Sequence, residues 1–213
     1  MVDEKLYPNY LQLWPSQESK QIVVFDLFNT LLDEASVYTE FYSYASGRHT
    51  ISLEVQEFVS RFFQYRREPV FADTKKPYKE LVRLAYQRLV EGGDEEDLEI
   101  LFDMYRSMDF LPGIKEMLAG LRGKFRFFGL TNCDNDLIGR IDIPSKSPVI
   151  FEKIFTSEEN GIYKPNHGAY QKVVDYIGLP AGRVIYASSH QWDLTASREF
   201  GFNSKTLEEL VRL

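Results

Sequence analysis

The chain has 213 residues, a formal net charge of −7 and 44% hydrophobic residues, enough apolar material to bury a large core. The negative balance, with no long block of like charges, argues against a nucleic-acid or acidic-membrane partner, so an anionic ligand has to be met by local basic groups. A single cysteine, Cys133, excludes an internal disulfide; with no apolar signal core before Trp14 and no apolar run of bilayer length, a cytoplasmic location is expected.

Residues 1–19 hold two prolines and three aromatics without a hydrophobic period and read as an N-terminal extension. The first strand is expected over 22–27. There Ile22, Val23, Val24 and Phe25 end in Asp26, and a polar break follows at Asn29-Thr30. A buried parallel strand delivers one side chain to its C-terminal rim in this way. Helical periodicity then predicts helices over 36–44, 52–67, 77–91 and 94–107, with Ser52 and Pro77 as start signals and Gly92-Gly93 as a stop. From Pro112 the pattern alternates: helix 113–121, strand 125–130, strand 153–156, helix 167–176, strand 183–187, helix 193–200. Such alternation predicts a parallel sheet. The economical architecture is one α/β domain, 20–33 with 112–213, split after its first strand by an all-helical unit, 34–111. After Phe202, Asn203-Ser204-Lys205 leads straight into a last helix, which predicts either a sheet lacking its final edge strand or a shortened chain.

In an open parallel sheet the ligand crevice lies outside the carboxyl ends of the strands. Asp26 with Thr30, Thr131-Asn132, Lys164 and the stretch from Ser188 to Asp193 would all gather there. A carboxylate nucleophile, hydroxyl and amide donors, a lysine and a second carboxylate would share one rim.

These four motifs, in this order and with a helical insertion after the first, resemble the haloacid dehalogenase superfamily across residues 20–202. The resemblance implies a Rossmann-like parallel sheet core carrying an all-helical cap. Phosphatases of that superfamily place a second Asp two residues after the nucleophile. Here the position is Phe28, which cannot protonate a leaving alkoxide. The fourth motif offers one carboxylate, Asp193, a poor set of oxygen ligands for a divalent cation. No metal and no other cofactor is therefore expected.

The altered motifs resemble the 2-haloacid dehalogenase branch, whose first motif reads Asp-x-Tyr-Gly-Thr and whose fourth reads Ser-Ser-Asn-x-Trp-Asp. Asp26, Thr30, Ser188, Trp192 and Asp193 match, while Phe28, Asn29 and His190 replace Tyr, Gly and Asn. The resemblance implies that Asp26 attacks carbon 2 of a small 2-halo carboxylate, or of another activated carboxylate, and leaves an aspartyl ester for water to open. Lys164 would hold Asp26, and Asp193 would hold Lys164 or activate the water. Ser188 and Thr131 would orient these charges. Asn132 and Arg61, the latter in an Arg-x-x-Gln context with Arg66 as its rival, would meet the leaving anion and the substrate carboxylate. Tyr170, six residues after Lys164, together with Phe28 and Trp192, falls on the substrate side. His190 would serve as a base or simply fill space. The branch also implies a homodimer.

Outside the motifs, Cys133 reads as a packed thiol lining the site, His49 and His167 as surface or capping residues, and Asp73, Asp94 and Asp97 as turn and cap residues. Phe58, Phe62, Phe63 and Phe71 are core or pocket wall. Two other functions stay open. One is a phosphatase, against which Phe28 stands; the other is a non-catalytic binding protein, suggested by His190 and Asn29.

Overall fold

The computed structural model describes residues 20–72 and 74–213; the N-terminal extension and Asp73 lie outside the described residues. The sheet is built around β1 (Gln21–Phe25), flanked by β2 (Phe125–Thr131) and β4 (Val184–Ala187), with β3 (Phe151–Thr156) and β5 (Asn203–Lys205) at the edges. Its order is β3-β2-β1-β4-β5, and all four pairings are parallel. Successive side chains of a strand point to opposite faces, and β1 shows it: Val23 and Phe25 enter one apolar cluster, Ile22 and Val24 the other. Both faces of the sheet are therefore covered, which is why this strand reads as a continuous apolar run.

Between β1 and α5 (Ile114–Leu121) lie α1 (Glu34–Ser46), α2 (Val55–Phe71), α3 (Tyr78–Leu89) and α4 (Glu95–Met104). The chain enters and leaves this helical block side by side, because Leu32 bridges Phe110 in antiparallel fashion, Asp33 N donates to Asp109 O and Leu111 N to Leu31 O. Among the described residues the block has no separate core. Phe41, Phe58, Leu81 and Leu101 belong to the same apolar cluster as Val23 and Phe127 of the sheet. Beyond β2 come α6 (Asn135–Ile141), α7 (Ile143–Lys146), α8 (Ser157–Asn160), α9 (His167–Ile177), α10 (Gln191–Phe200) and α11 (Leu207–Val211).

Four sequence expectations change. Helix α2 starts at Val55, with Glu54 as N-cap and Ser52 outside it, and it runs on to Phe71. The three short helices α6 to α8 are too brief for a 3.6-residue period to show. The sheet does possess its edge strand: β5 pairs with β4, and Ser204 Oγ meets Ser197 Oγ of α10 at 2.7 Å. Three polar residues at a sheet edge carry no apolar signal. Finally, His49 is not a surface or capping residue, since its Nε2 lies 2.8 Å from Asp97 Oδ2. His167 starts α9, its ring edge-on to Tyr170 and Phe200.

Asp97 joins the helices of the block. It completes a capping box with Asp94, accepts the Tyr86 hydroxyl at 2.5 Å and pairs with Arg48 at 3.1 Å. Burial pushes its carboxyl up, but the Tyr86 hydroxyl, the Asp94 amide and His49 together hold it below the usual carboxylate range. A carboxyl depressed in the folded state contributes stability above its unfolded pKa and loses it as pH falls through the folded one. Asp97→Asn is therefore expected to lower unfolding free energy near neutral pH by about 1–3 kcal/mol. In urea titrations the gap to wild type should narrow below about pH 4; a gap independent of pH would contradict the assignment.

Candidate active site

Asp26 stands just past β1, its amide donating to Ala187 O of the neighbouring strand at 2.9 Å. The chain then curls, with the amides of Thr30, Leu31 and Leu32 all returning to Leu27 O at 3.2, 2.8 and 2.9 Å. Asn29 takes the left-handed conformation, φ 57°, that asparagine tolerates better than most residues. The curl brings Thr30 Oγ1 back to donate to Asp26 Oδ2 at 2.5 Å, while Ser189 N donates to the same hydroxyl at 3.1 Å. The hydroxyl proton is thereby committed to Asp26.

Lys164 is 1% exposed. A reciprocal pair fixes its backbone: Lys164 N donates to Asn132 Oδ1, and Asn132 Nδ2 donates to Lys164 O, both at 2.8 Å. Its ammonium donates to Asp26 Oδ1 at 2.7 Å, Asp193 Oδ2 at 2.7 Å and the Tyr186 hydroxyl at 2.9 Å. All three of its hydrogens are accounted for. Burial works against the charged form, yet the charges of Asp193 and Asp26 prevail and hold the lysine above its ordinary pKa. Asp193, itself fully buried, also accepts the hydroxyls of Tyr170 at 2.6 Å and Tyr186 at 2.8 Å. Burial, and then Asp193, push both phenols well up, so they remain neutral donors.

His190 caps α10, its amide donating to Ser188 Oγ at 3.1 Å. Its Nε2 lies 3.0 Å from Phe28 O and 3.6 Å from Asp26 Oδ2, and its ring lies nearly parallel to Trp192, 19° between planes and 5.8 Å between centroids. A carbonyl only accepts, so Nε2 carries the hydrogen of that bond and Nδ1 is left without it as an acceptor.

These groups face a cavity of about 120 Å³, on the order of ten times what one water needs. Asp26, Lys164, Thr131, Asn132, Asn29 and His190 form its polar part; Phe28, Phe63, Val70, Phe71, Tyr78 and Trp192 form its apolar wall; Glu34, Arg66 and Arg67 border it. Helix α2 contributes Phe63, Arg66, Arg67, Val70 and Phe71, one stripe at helical spacing.

The structure brings together most of the residues singled out in the sequence, but not all at the cavity. Arg61 is corrected: it is exposed and paired with Glu57 at 2.6 Å, about 140° round the helix from Arg66 at about 100° per residue. Arg66, its rival, takes the place at the wall. Tyr170 sits behind Asp193 rather than beside a substrate, and Ser188 is fully buried, holding the His190 amide. Thr30 and Asp193 reach the cavity only through Asp26 and Lys164. Cys133 is buried in the apolar core and does not line the cavity; burial, reinforced by Asp134, pushes its thiol up. Phe58 and Phe62 are core, whereas Phe63 and Phe71 are wall. Sequence reasoning missed Tyr186, whose only signal is a lone hydroxyl in an aliphatic strand, and Glu34, which reads as an ordinary acidic residue in a first helical turn.

A carboxylate at the end of the central strand of a parallel sheet, bridged through a buried lysine to a second carboxylate, defines an α/β protein with its site at the strand ends. The family model of haloacid dehalogenase-like hydrolases matches residues 20–201, and the chain belongs to that family. It is 24% identical over 190 residues to the (S)-2-haloacid dehalogenase H-109 of Pseudomonas putida, an alignment covering 84% of this chain and 82% of the relative. Among solved structures it superposes on an L-2-haloacid dehalogenase with a TM-score of 0.74 at 18% identity, covering 91% of this chain and 98% of that one. The L-2-haloacid dehalogenase of Xanthobacter autotrophicus with chloropropionic acid covalently bound superposes with a TM-score of 0.71 at 20% identity, covering 87% and 76%.

Removing the lysine would leave two buried carboxylates without their shared cation. Lys164→Met is expected to cost roughly 3–5 kcal/mol of unfolding free energy at neutral pH. Because the folded lysine titrates above its ordinary value, this contribution should persist through the neutral range and disappear only at strongly alkaline pH. Denaturant midpoints unchanged by the substitution would show that the bridge is not the constraint it looks to be.

Proposed function

We propose that this chain is a 2-haloacid dehalogenase that works through a covalent ester on Asp26. The observation that carries the reading is the pairing of an oriented, lysine-held Asp26 carboxylate with an apolar Phe28 at the same cavity. Halide leaves without needing an acid, so a phenylalanine beside the nucleophile is harmless there and damaging in a phosphatase. The names of the relatives support the substrate class.

In the proposed reaction the Asp26 carboxylate forms a bond to carbon 2 with inversion, and the halide departs with the electron pair of the broken bond. Water then attacks the ester carbonyl, releasing a 2-hydroxy acid and regenerating the carboxylate. Lys164 and Thr30 orient Asp26 for the first step. Asp193, fully buried and not facing the cavity, is assigned to holding Lys164, with Tyr170 and Tyr186 supporting it. His190, beside Asp26 and facing the cavity, is assigned the proton of the attacking water. Thr131 and Asn132, with Arg66 in place of Arg61, would meet the substrate carboxylate and the leaving anion. The helices α1 to α4 act as the cap, over 34–111.

A divalent cation does not suit these donors. Asp26 and Asp193 both turn to Lys164, and among the described residues no three His, Cys, Asp or Glu side chains converge as a metal site. The activity is therefore expected to be metal-independent. Halide release from (S)-2-chloropropionate should resist EDTA, exceed release from the R enantiomer, and fall by about a thousandfold or more in Asp26→Asn. Phosphate release from phosphomonoesters with Mg²⁺, in the absence of any halide release, would replace this reading with the phosphatase.

A further inference from the structure

Glu34, the first residue of α1, is fully buried and borders the cavity. Every group bonded to its carboxylate is a donor. Arg66 Nη1 and the hydroxyls of Tyr78 at 2.7 Å and Tyr105 at 3.2 Å donate to Oε1; Arg66 Nη2 at 3.0 Å and Asn29 Nδ2 at 3.2 Å donate to Oε2. Arg66 Nη1 also donates to the Tyr38 hydroxyl at 2.8 Å, and the guanidinium lies over the rings of Tyr78, Phe63 and Tyr38. Burial pushes Tyr38, Tyr78 and Tyr105 well up, so all three stay neutral. The pairing with Glu34 and Tyr38 uses both Nη1 hydrogens and one on Nη2. It leaves the Nε hydrogen and the second Nη2 hydrogen outside.

We propose that Glu34 is a positioning residue that sets the charge of an anion subsite at Arg66: it turns the arginine into an oriented, neutral pair, so that a small monoanion is met by directed N–H groups rather than by an uncompensated cation. The identity of the anion, halide or carboxylate, rests on the dehalogenase reading. The physical reason is release. Each displacement leaves a halide inside the cavity, and an unpaired buried guanidinium there would hold it tightly, because a buried charge without its partner is strongly destabilised and recruits a counter-ion. A bidentate carboxylate already in place lowers that pull and keeps the fork geometry.

The test is bromide binding, by calorimetric titration and thermal unfolding at constant ionic strength, for wild type, Glu34→Gln and the double variant Glu34→Gln/Arg66→Met. Glu34→Gln keeps the shape and removes the charge. It should bind bromide roughly tenfold or more tightly than wild type, be stabilised by bromide far more than wild type is, and show halide product inhibition strengthened to match. The double variant, with both charges gone, should fold and lose the bromide affinity. A folded Glu34→Gln with wild-type bromide affinity would overturn the proposal, since a purely structural role would change stability and leave affinity alone. If Glu34→Gln folds only when bromide is added, the proposal stands; if bromide does not restore its fold, it falls. Halide release by wild type, measured alongside, separates the two readings. Its absence with the expected bromide pattern removes the dehalogenase and keeps Glu34, while its presence with unchanged affinities removes only Glu34.

Discussion

One ammonium group between two carboxylates organises this protein. Lys164 reaches Asp26 at the end of the central strand and Asp193 in the first turn of α10, and both distances are 2.7 Å. Three charges buried together are tolerable only if the cation touches both anions and the remaining lone pairs find donors. The donors are Thr30 for Asp26, and Tyr170 and Tyr186 for Asp193. Those donors come from the turn after β1, from α9 and from β4, so meeting the requirement fixes these three segments, α10 and the loop carrying Lys164 relative to one another. The site is the place where the sheet and its covering helices are most tightly specified.

A second charged group, less expected, governs the opposite wall. Glu34 and Arg66 join α1 to α2, and Tyr78 of α3 and Tyr105 after α4 donate to the same carboxylate. The helical block is thus tied together at the cavity by a polar network. Farther out, its apolar residues merge with those of the sheet in one cluster. The two arrangements act differently. Apolar burial is non-directional and holds the block down, whereas the network specifies which side chains point into the cavity. Phe63, Val70 and Phe71 line it because Arg66, on the same stripe of α2, is pinned.

The contrast between the two charged centres bears on chemistry. At Asp26 the carboxylate is bonded to an ammonium that also borders the cavity; at Arg66 the guanidinium borders the cavity beside its fully buried carboxylate. Both centres border one cavity whose remaining surface is largely aromatic. Phe28 in the lining has no proton to contribute, and His190 adds a group whose Nδ1 is free of the bond to Phe28 O.

The fold class and the four site segments were legible in the sequence, because the central strands are apolar runs and a polar group closes or follows each of them at the same rim. Asp26 could be named for that reason, and Lys164 and Asp193 from the motifs they share with the family. Local patterns also marked the helical insertion, though not the short helices or the edge strand, whose three polar residues have no period to read. Arg61 against Arg66 could not be decided from spacing, since a helix presents both types of face and only packing says which one meets the cavity. Tyr170 was identified as a site residue but placed on the substrate side, because a motif records which groups cooperate and not which of them reach the cavity. Tyr186 and Glu34 emerged only from the tertiary structure. Their partners lie 22 and 32 residues away in the chain, and a hydrogen bond across such a separation leaves no trace in local periodicity.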